Sequence, residues 1–352
     1  MMTENSIPDW AEKFWELRAF VSDHDDIRMT EKSLSVPRAY RDEFYGQIDG
    51  IGAMLSQKIL GGRTEEAIRL ASMCGEVRDE LVRQSNLKSF RLSASLENLI
   101  AAPRTALVKP VLGLILDGLQ QGLDEEEMES RAAQAITPYA RDLMRNAYEA
   151  WCYYGIVKML KPVHFYGIYS ADTVEVIPVE TEEIRAGWQI TSPERRMPEA
   201  VFETEDGRTF AMKSEVGMEV SYYGMRITKK QDFSSGGNTM DQIAHRSLLL
   251  YRLADKDSAG LLADRGKLYI RPTDLTCEVL LPSEMEKPYL ASQFVQRINM
   301  VRSKRPVQVL TVDERGEFPE GMLQDPGVAS IERRVIGYES ERLREVAKLL
   351  KD

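Results

Sequence analysis

Cysteine and histidine are both scarce in this chain. Three cysteines (Cys74, Cys152, Cys277) and three histidines (His24, His164, His245) stand far apart in 352 residues. No CxxC pair occurs, which argues against a zinc site. A small, odd set of separated cysteines fits reduced thiols and predicts a cytoplasmic protein. Long apolar runs are missing too. Nothing approaches the roughly 20 residues of a membrane span, so no membrane partner is expected. The first nine residues are polar and acidic, with neither the basic start nor the apolar centre of a signal peptide. There is no internal repeat, heptad array or low-complexity tract. The pair Gly236-Gly237 lacks the Lys-Ser/Thr that completes a phosphate-binding loop. A net charge of −10 argues against a surface that grips nucleic acid everywhere. It leaves room for a local basic groove from Arg195-Arg196, Lys229-Lys230, Arg302 to Arg305 and Arg333-Arg334, although charge clusters of this kind are commonly solvated loops.

What is present divides the chain in two. The length favours two domains, and 43% apolar residues suffice for real cores. Residues 8–136 read as helical throughout. Trp10, Phe14, Leu17 and Phe20 recur at helical spacing. A second helix is expected from Ser35-Val36-Pro37 to Gly61-Gly62, and a third is capped by Thr64. Further helical runs are expected over about 88–101, 104–121 and 124–136. Thr137-Pro138 then reads as the N-cap and first position of a separate helix that ends at Lys161-Pro162. Beyond Pro162 the period changes to alternation. Strands are expected at 164–169, 174–179, 187–191, 200–204, 208–216, 219–226, 267–271, 278–281, 307–312 and 328–335. Helices are expected at 240–253, 288–301 and 340–350. The fold class is therefore α+β: an all-helical N-terminal domain (1–136) followed by a mixed α/β domain (137–352).

Within the second domain, Met197 to Glu215 reads as a hairpin. Glu205-Asp206-Gly207 makes the turn, and Asp-Gly supplies the positive φ a tight hairpin needs. Phe210 and Met212 face one way; Thr209, Ala211, Lys213 and Glu215 face the other. Lys213 is thus on one face with acids, which fits either an amphipathic hairpin or a metal-dependent site.

The helix with Tyr148-Glu149-Ala150-Trp151, the following Pro198-Glu199, and then Ala211-Met212-Lys213 together resemble the PD-(D/E)XK nuclease superfamily. The likeness is to the nuclease domains of McrBC-type restriction systems and covers roughly residues 138–312. There a Tyr-Glu-x-Trp helix precedes a Pro-Asp strand and an Asp-x-Lys strand. The Asp241-Gln242 helix is similar to the Gln-bearing helix that follows the catalytic strand in many members. The resemblance implies a DNA endonuclease of a prokaryotic restriction or anti-phage system, using Mg²⁺ or Mn²⁺. Glu149, Glu199 and position 211 would be the metal ligands, Lys213 the motif lysine and Gln242 an auxiliary contact. Such chemistry needs converging hard oxygen ligands for the cation, and a lysine to orient water or stabilise charge. Trp151 and Tyr148 are expected in the core. DNA, and a protein partner or second copy of the chain, are the expected partners.

Two departures stand out. Glu199 replaces the usual Asp, and Ala211 stands where the motif has an acid. Alanine cannot bind a metal. Three readings follow: an engineered inactivation, a natural pseudo-nuclease acting as scaffold or DNA clamp in a larger complex, or migration of the role to Glu203 or Glu215.

Overall fold

The computed structural model describes residues 9–30, 33–171, 175–186, 198–214, 247–262, 272–301, 303–320 and 330–351. By backbone contacts the chain divides into two compact units, residues 1–72 with 98–144 and residues 73–97 with 145–352. This division differs from a cut at 136/137, because one helix runs through that point and residues 73–97 group with the later chain.

The first unit is mainly helical. Helix α1 (Trp10–Asp23) starts where the Asp9 side chain accepts the Ala11 N–H at 3.3 Å, and buries Trp10, Phe14 and Leu17. Not everything here is helical. Strands β1 (Arg28–Thr30) and β2 (Ser33–Ser35) pair antiparallel. Helix α2 (Arg41–Leu60) therefore begins later than expected, after a 3₁₀ turn over Arg38–Tyr40. Pro37 helps place that start, since the residue before a proline is driven out of the helical region. Helix α3 (Arg63–Gln84) includes Thr64 within its first turn rather than as its cap. The run expected at 88–101 splits into strand β3 (Ser89–Arg91), which groups with the second unit, and helix α4 (Ala94–Ala101), which begins there and ends in the first. Helix α5 (Pro103–Gln121) packs tightly on α2. A Cβ built on Gly52 would lie 2.6 Å from Val108 Cγ1, so only glycine allows this approach.

Helix α6 (Glu125–Met159) is continuous for 35 residues and carries Pro138 in its interior. The expected break at Thr137-Pro138 does not occur. Proline removes one ladder hydrogen bond and crowds the preceding turn. Against that cost, Met128, Ala132, Ile136, Ala140, Leu143 and Ala147 form an unbroken buried stripe at helical spacing across the proline. Packing of that stripe outweighs the local penalty.

The second unit is built on an eight-stranded sheet. Its order is β12-β11-β10-β9-β8-β7-β4-β5. The strands are β4 (Pro162–Ala171), β5 (Glu175–Glu180), β7 (Ala200–Thr204), β8 (Thr209–Lys213), β9 (Ser247–Leu253), β10 (Leu275–Val279), β11 (Val307–Thr311) and β12 (Ile331–Val335). Short β6 (Glu183–Arg185) pairs in parallel with β3 instead. Neighbours from β5 through β10 are antiparallel; β10, β11 and β12 run parallel. Between β10 and β11 lie α7 (Pro282–Met285) and α8 (Pro288–Met300), the crossover a parallel pair requires. Helix α9 (Ser340–Lys348) closes the chain, burying Leu343, Val346 and Ala347.

One expected helix is a strand. Residues 247–253 form β9, between β8 and β10. Leu248, Leu249, Leu250 and Tyr251 are buried in succession, as in a strand covered on both faces. A short apolar run of this kind has no period that separates strand from helix. Residues 240–246 lie outside the described residues, as do the strands expected at 187–191, 219–226 and 267–271. Among the described residues no single helix is long and apolar enough to cross a membrane.

Replacing Pro138 with alanine tests the continuous helix. An interior proline lifts stability when removed, by up to about 3 kcal/mol. A proline at a helix start does not. We expect a higher melting temperature for Pro138→Ala; a lower one would indicate that a helix begins there.

Candidate functional site

The hairpin of β7 and β8 forms as its turn residues dictate. Gly207 has φ +79°, and its N–H donates to Thr204 O at 2.9 Å. Three residues thus turn the chain, with glycine in the left-handed position. Asp206 fixes the turn from the side, accepting from Thr204 Oγ1 at 2.6 Å and Arg208 Nε at 2.9 Å. These contacts hold its carboxyl well below the usual range, the Arg208 hydrogen bond first and the Thr204 hydroxyl second.

The hairpin is not amphipathic. Every residue of β8 is buried, Lys213 included, at 2% exposure. The register pairs Val201 with Ala211 and Ala200 with Met212. On one face Phe165, Phe202 and Phe210 pack in a row with tilted rings, centroids 5.5 and 5.6 Å apart. On the other, Ala211 lies in an apolar cluster with Val201, Leu249, Tyr251, Leu253, Ala259 and Val301.

Polar side chains gather at one end of the sheet, where β8, β10 and β11 finish and β7 and β9 begin. Three groups are found there. Glu199, immediately before β7, accepts the Ser214 N–H at 3.1 Å and the Ser214 hydroxyl at 2.9 Å. The Ser214 oxygen also pairs with Tyr154 of α6 at 2.7 Å. With its own proton committed to Glu199, Ser214 Oγ accepts the hydrogen bond that the Tyr154 hydroxyl donates. Burial, then the Glu199 carboxylate, push the Tyr154 hydroxyl well above its ordinary pKa, so it stays a donor.

In the second group, Arg145 of α6 is buried and forms an ion pair with Glu149 one turn on. Its Nε donates to Glu284 Oε1 at 2.8 Å and its Nη2 to Val279 O at 3.3 Å. Glu284 turns its other oxygen to the Leu281 N–H at 3.0 Å, at the start of α7. Tyr153 adds an acceptor for the Val279 N–H at 3.0 Å. Burial opposes the Arg145 charge, but Glu149 and Glu284 outweigh it and raise its pKa further. Tyr148 is buried in the same region and donates to Thr311 O and Gly337 O, at 3.2 and 2.9 Å. Trp151 is also buried, as expected.

The third group is on the β9–β10 pair. Ser247 donates to Glu278 Oε1 at 2.6 Å, and both are buried. Paired residues share a face. The register therefore sets Ser247 and Glu278 on the same face as Leu249 and its partner Lys213.

The residues expected to form a metal site are thus distributed among different tasks. Glu149 is in an ion pair with Arg145. Glu199 is engaged by Ser214. Ala211 is in the apolar cluster, and Gln242 lies outside the described residues, with Glu215 and His245. Glu203 accepts from Tyr166 at 3.1 Å. Among the described residues no three His, Cys, Asp or Glu side chains converge as metal ligands. This donor set does not fit a hard divalent cation, which needs several unshared oxygens.

Two features were not foreseen. Arg145, Glu149 and Tyr153 recur every four residues on α6, a polar stripe legible in the sequence. Glu278 had no such signal. The strand that enters the crossover helices is β10, not β8, and it reads Cys277-Glu278-Val279-Leu280. An acid is present there, but leucine stands two residues on. No protein-family model, curated protein or solved structure matches this chain.

Two tests follow from these contacts. Removing the Ser214 hydroxyl leaves the half-buried Glu199 carboxylate short of a donor and the buried Tyr154 hydroxyl without its acceptor, so Ser214→Ala should cost about 1–3 kcal/mol, and Tyr154→Phe about 1 kcal/mol. Urea unfolding measures both, and a larger loss for Tyr154→Phe would contradict the hydrogen-bond order. Asp206 supplies a pH test. A depressed carboxyl stabilises the fold above its unfolded value of about 3.9 and loses that contribution as pH falls toward its lower folded value. Asp206 is half exposed, so solvent screening keeps its contribution below about 1 kcal/mol. The stability gap between the protein and Asp206→Asn should narrow from pH 7 to pH 3; a constant gap would show that the ion pair is immaterial.

Proposed function

We propose that this chain is a non-catalytic subunit with a nuclease-like frame, acting as a scaffold or DNA clamp within a larger prokaryotic restriction or anti-phage complex. One observation carries the reading: the two acid positions that metal chemistry needs most are spent. Position 211 is an alanine inside an apolar cluster. Glu149 is held in a buried ion pair by Arg145. The element succession supports the frame, since helix α6, antiparallel strands, a crossover helix and a parallel strand occur in that order. The succession falls two strands later than the hairpin, and there the position of the motif lysine is Leu280.

The competing reading is a Mg²⁺- or Mn²⁺-dependent DNA endonuclease inactivated only at position 211. Plasmid cleavage separates the two. The subunit reading expects no Mg²⁺- or Mn²⁺-dependent cutting by the protein, by Ala211→Asp or by Ala211→Glu. It expects DNA retention that falls steeply with salt and ignores EDTA. Metal-dependent cutting by any of the three forms would overturn it. Ala211→Glu should also lose about 3 kcal/mol or more of stability, because its carboxylate would be buried without a partner.

A further inference from the structure

At the carboxyl end of β10, three oxygens from three elements converge on one cation. Glu149 comes from α6, Glu284 Oε1 from α7, and the carbonyl of Val279 from the strand itself. The cation is a side chain. Arg145 is 5% exposed and Glu149 1%, so water can do little to neutralise either. Without the Arg145 charge, two carboxylates would face each other here at a desolvation cost of several kcal/mol per buried ion. A guanidinium suits this arrangement. Its planar fork donates along fixed directions, to Glu284 Oε1 at 2.8 Å, to Val279 O at 3.3 Å and to Glu149 in the ion pair, whereas Mg²⁺ binds oxygens in a near-regular octahedron and usually keeps several waters.

We propose that the Arg145 guanidinium is the resident cation of this site, a built-in substitute for a divalent metal ion, and that it makes Glu149 and Glu284 unavailable to Mg²⁺ or Mn²⁺. The two carboxylates then share one permanent positive charge, and the site needs no metal to hold its geometry. Vacating the guanidinium would leave an oxygen-lined space bearing two negative charges, which a divalent cation can fill. The assignment goes beyond the subunit reading and does not depend on DNA binding.

Thermal unfolding and Mn²⁺ titration calorimetry test it. The melting temperature of the protein should be the same in EDTA and in millimolar Mn²⁺. Arg145→Ala should melt about 5 °C or more lower in EDTA, and Mn²⁺ should recover much of that loss. Adding Glu149→Gln to Arg145→Met should recover part of the lost stability without any metal, since one of the two carboxylates facing the vacated space no longer carries a charge. Two results would overturn the assignment. One is stabilisation of the unmodified protein by Mn²⁺ that disappears in Glu149→Gln. The other is an Arg145→Met variant that melts with the parent. Either, with DNA retention unchanged, would remove the resident cation and leave the subunit reading standing.

Discussion

A charge taken out of water must be answered where it lies. Arg145 and Glu149 meet that demand on adjacent turns of α6, and much of the second unit is arranged around the result. Arg145 reaches β10 through Val279 O and the start of α7 through Glu284. Tyr153 and Tyr148, on the same helix, attach to β10 and to the end of β11. Tyr154 attaches through Ser214 to the end of β8. One helix therefore sets the positions of three strand ends by hydrogen bonds too buried for water to replace.

The same burial explains why the hairpin is not a surface feature. Both faces of β8 are covered, aromatic on one side and aliphatic on the other. In such a place an acid two residues before a lysine would need a metal or a donor, and alanine needs neither. Lys213 is buried on the face that also carries Glu278 and Ser247. The polar groups are thus concentrated at one sheet end, and the middle of the sheet is apolar.

Much of the fold was legible. The change from helical to alternating period at Pro162 marks the start of the sheet, and β4, β5, β7, β8, β10, β11 and β12 overlap expected strands. The misreadings have common causes. Pro138 read as a start because proline is favoured there, but a stripe buried from Met128 to Ala147 carries the helix through. Leu248 to Leu250 read as helix because leucine favours it, but burial on both faces makes an apolar strand without alternation. Each is a case of packing overriding a local preference.

Of the candidate site, the sequence alone determined the inventory: Glu149 one turn after Arg145, the Asp206-Gly207 turn, the lysine at 213 and the missing acid at 211. These are fixed by residue identity and short spacing, which local geometry reads directly. Only the tertiary structure decided what each does. It set Glu284 and Val279, more than a hundred residues away in sequence, against Arg145. It joined Ser214 to Glu199 and placed Glu278 on the strand before the crossover. Such partners come from strand order and register. A residue's role in a buried site depends on the groups that answer its charge, and those come from anywhere in the chain.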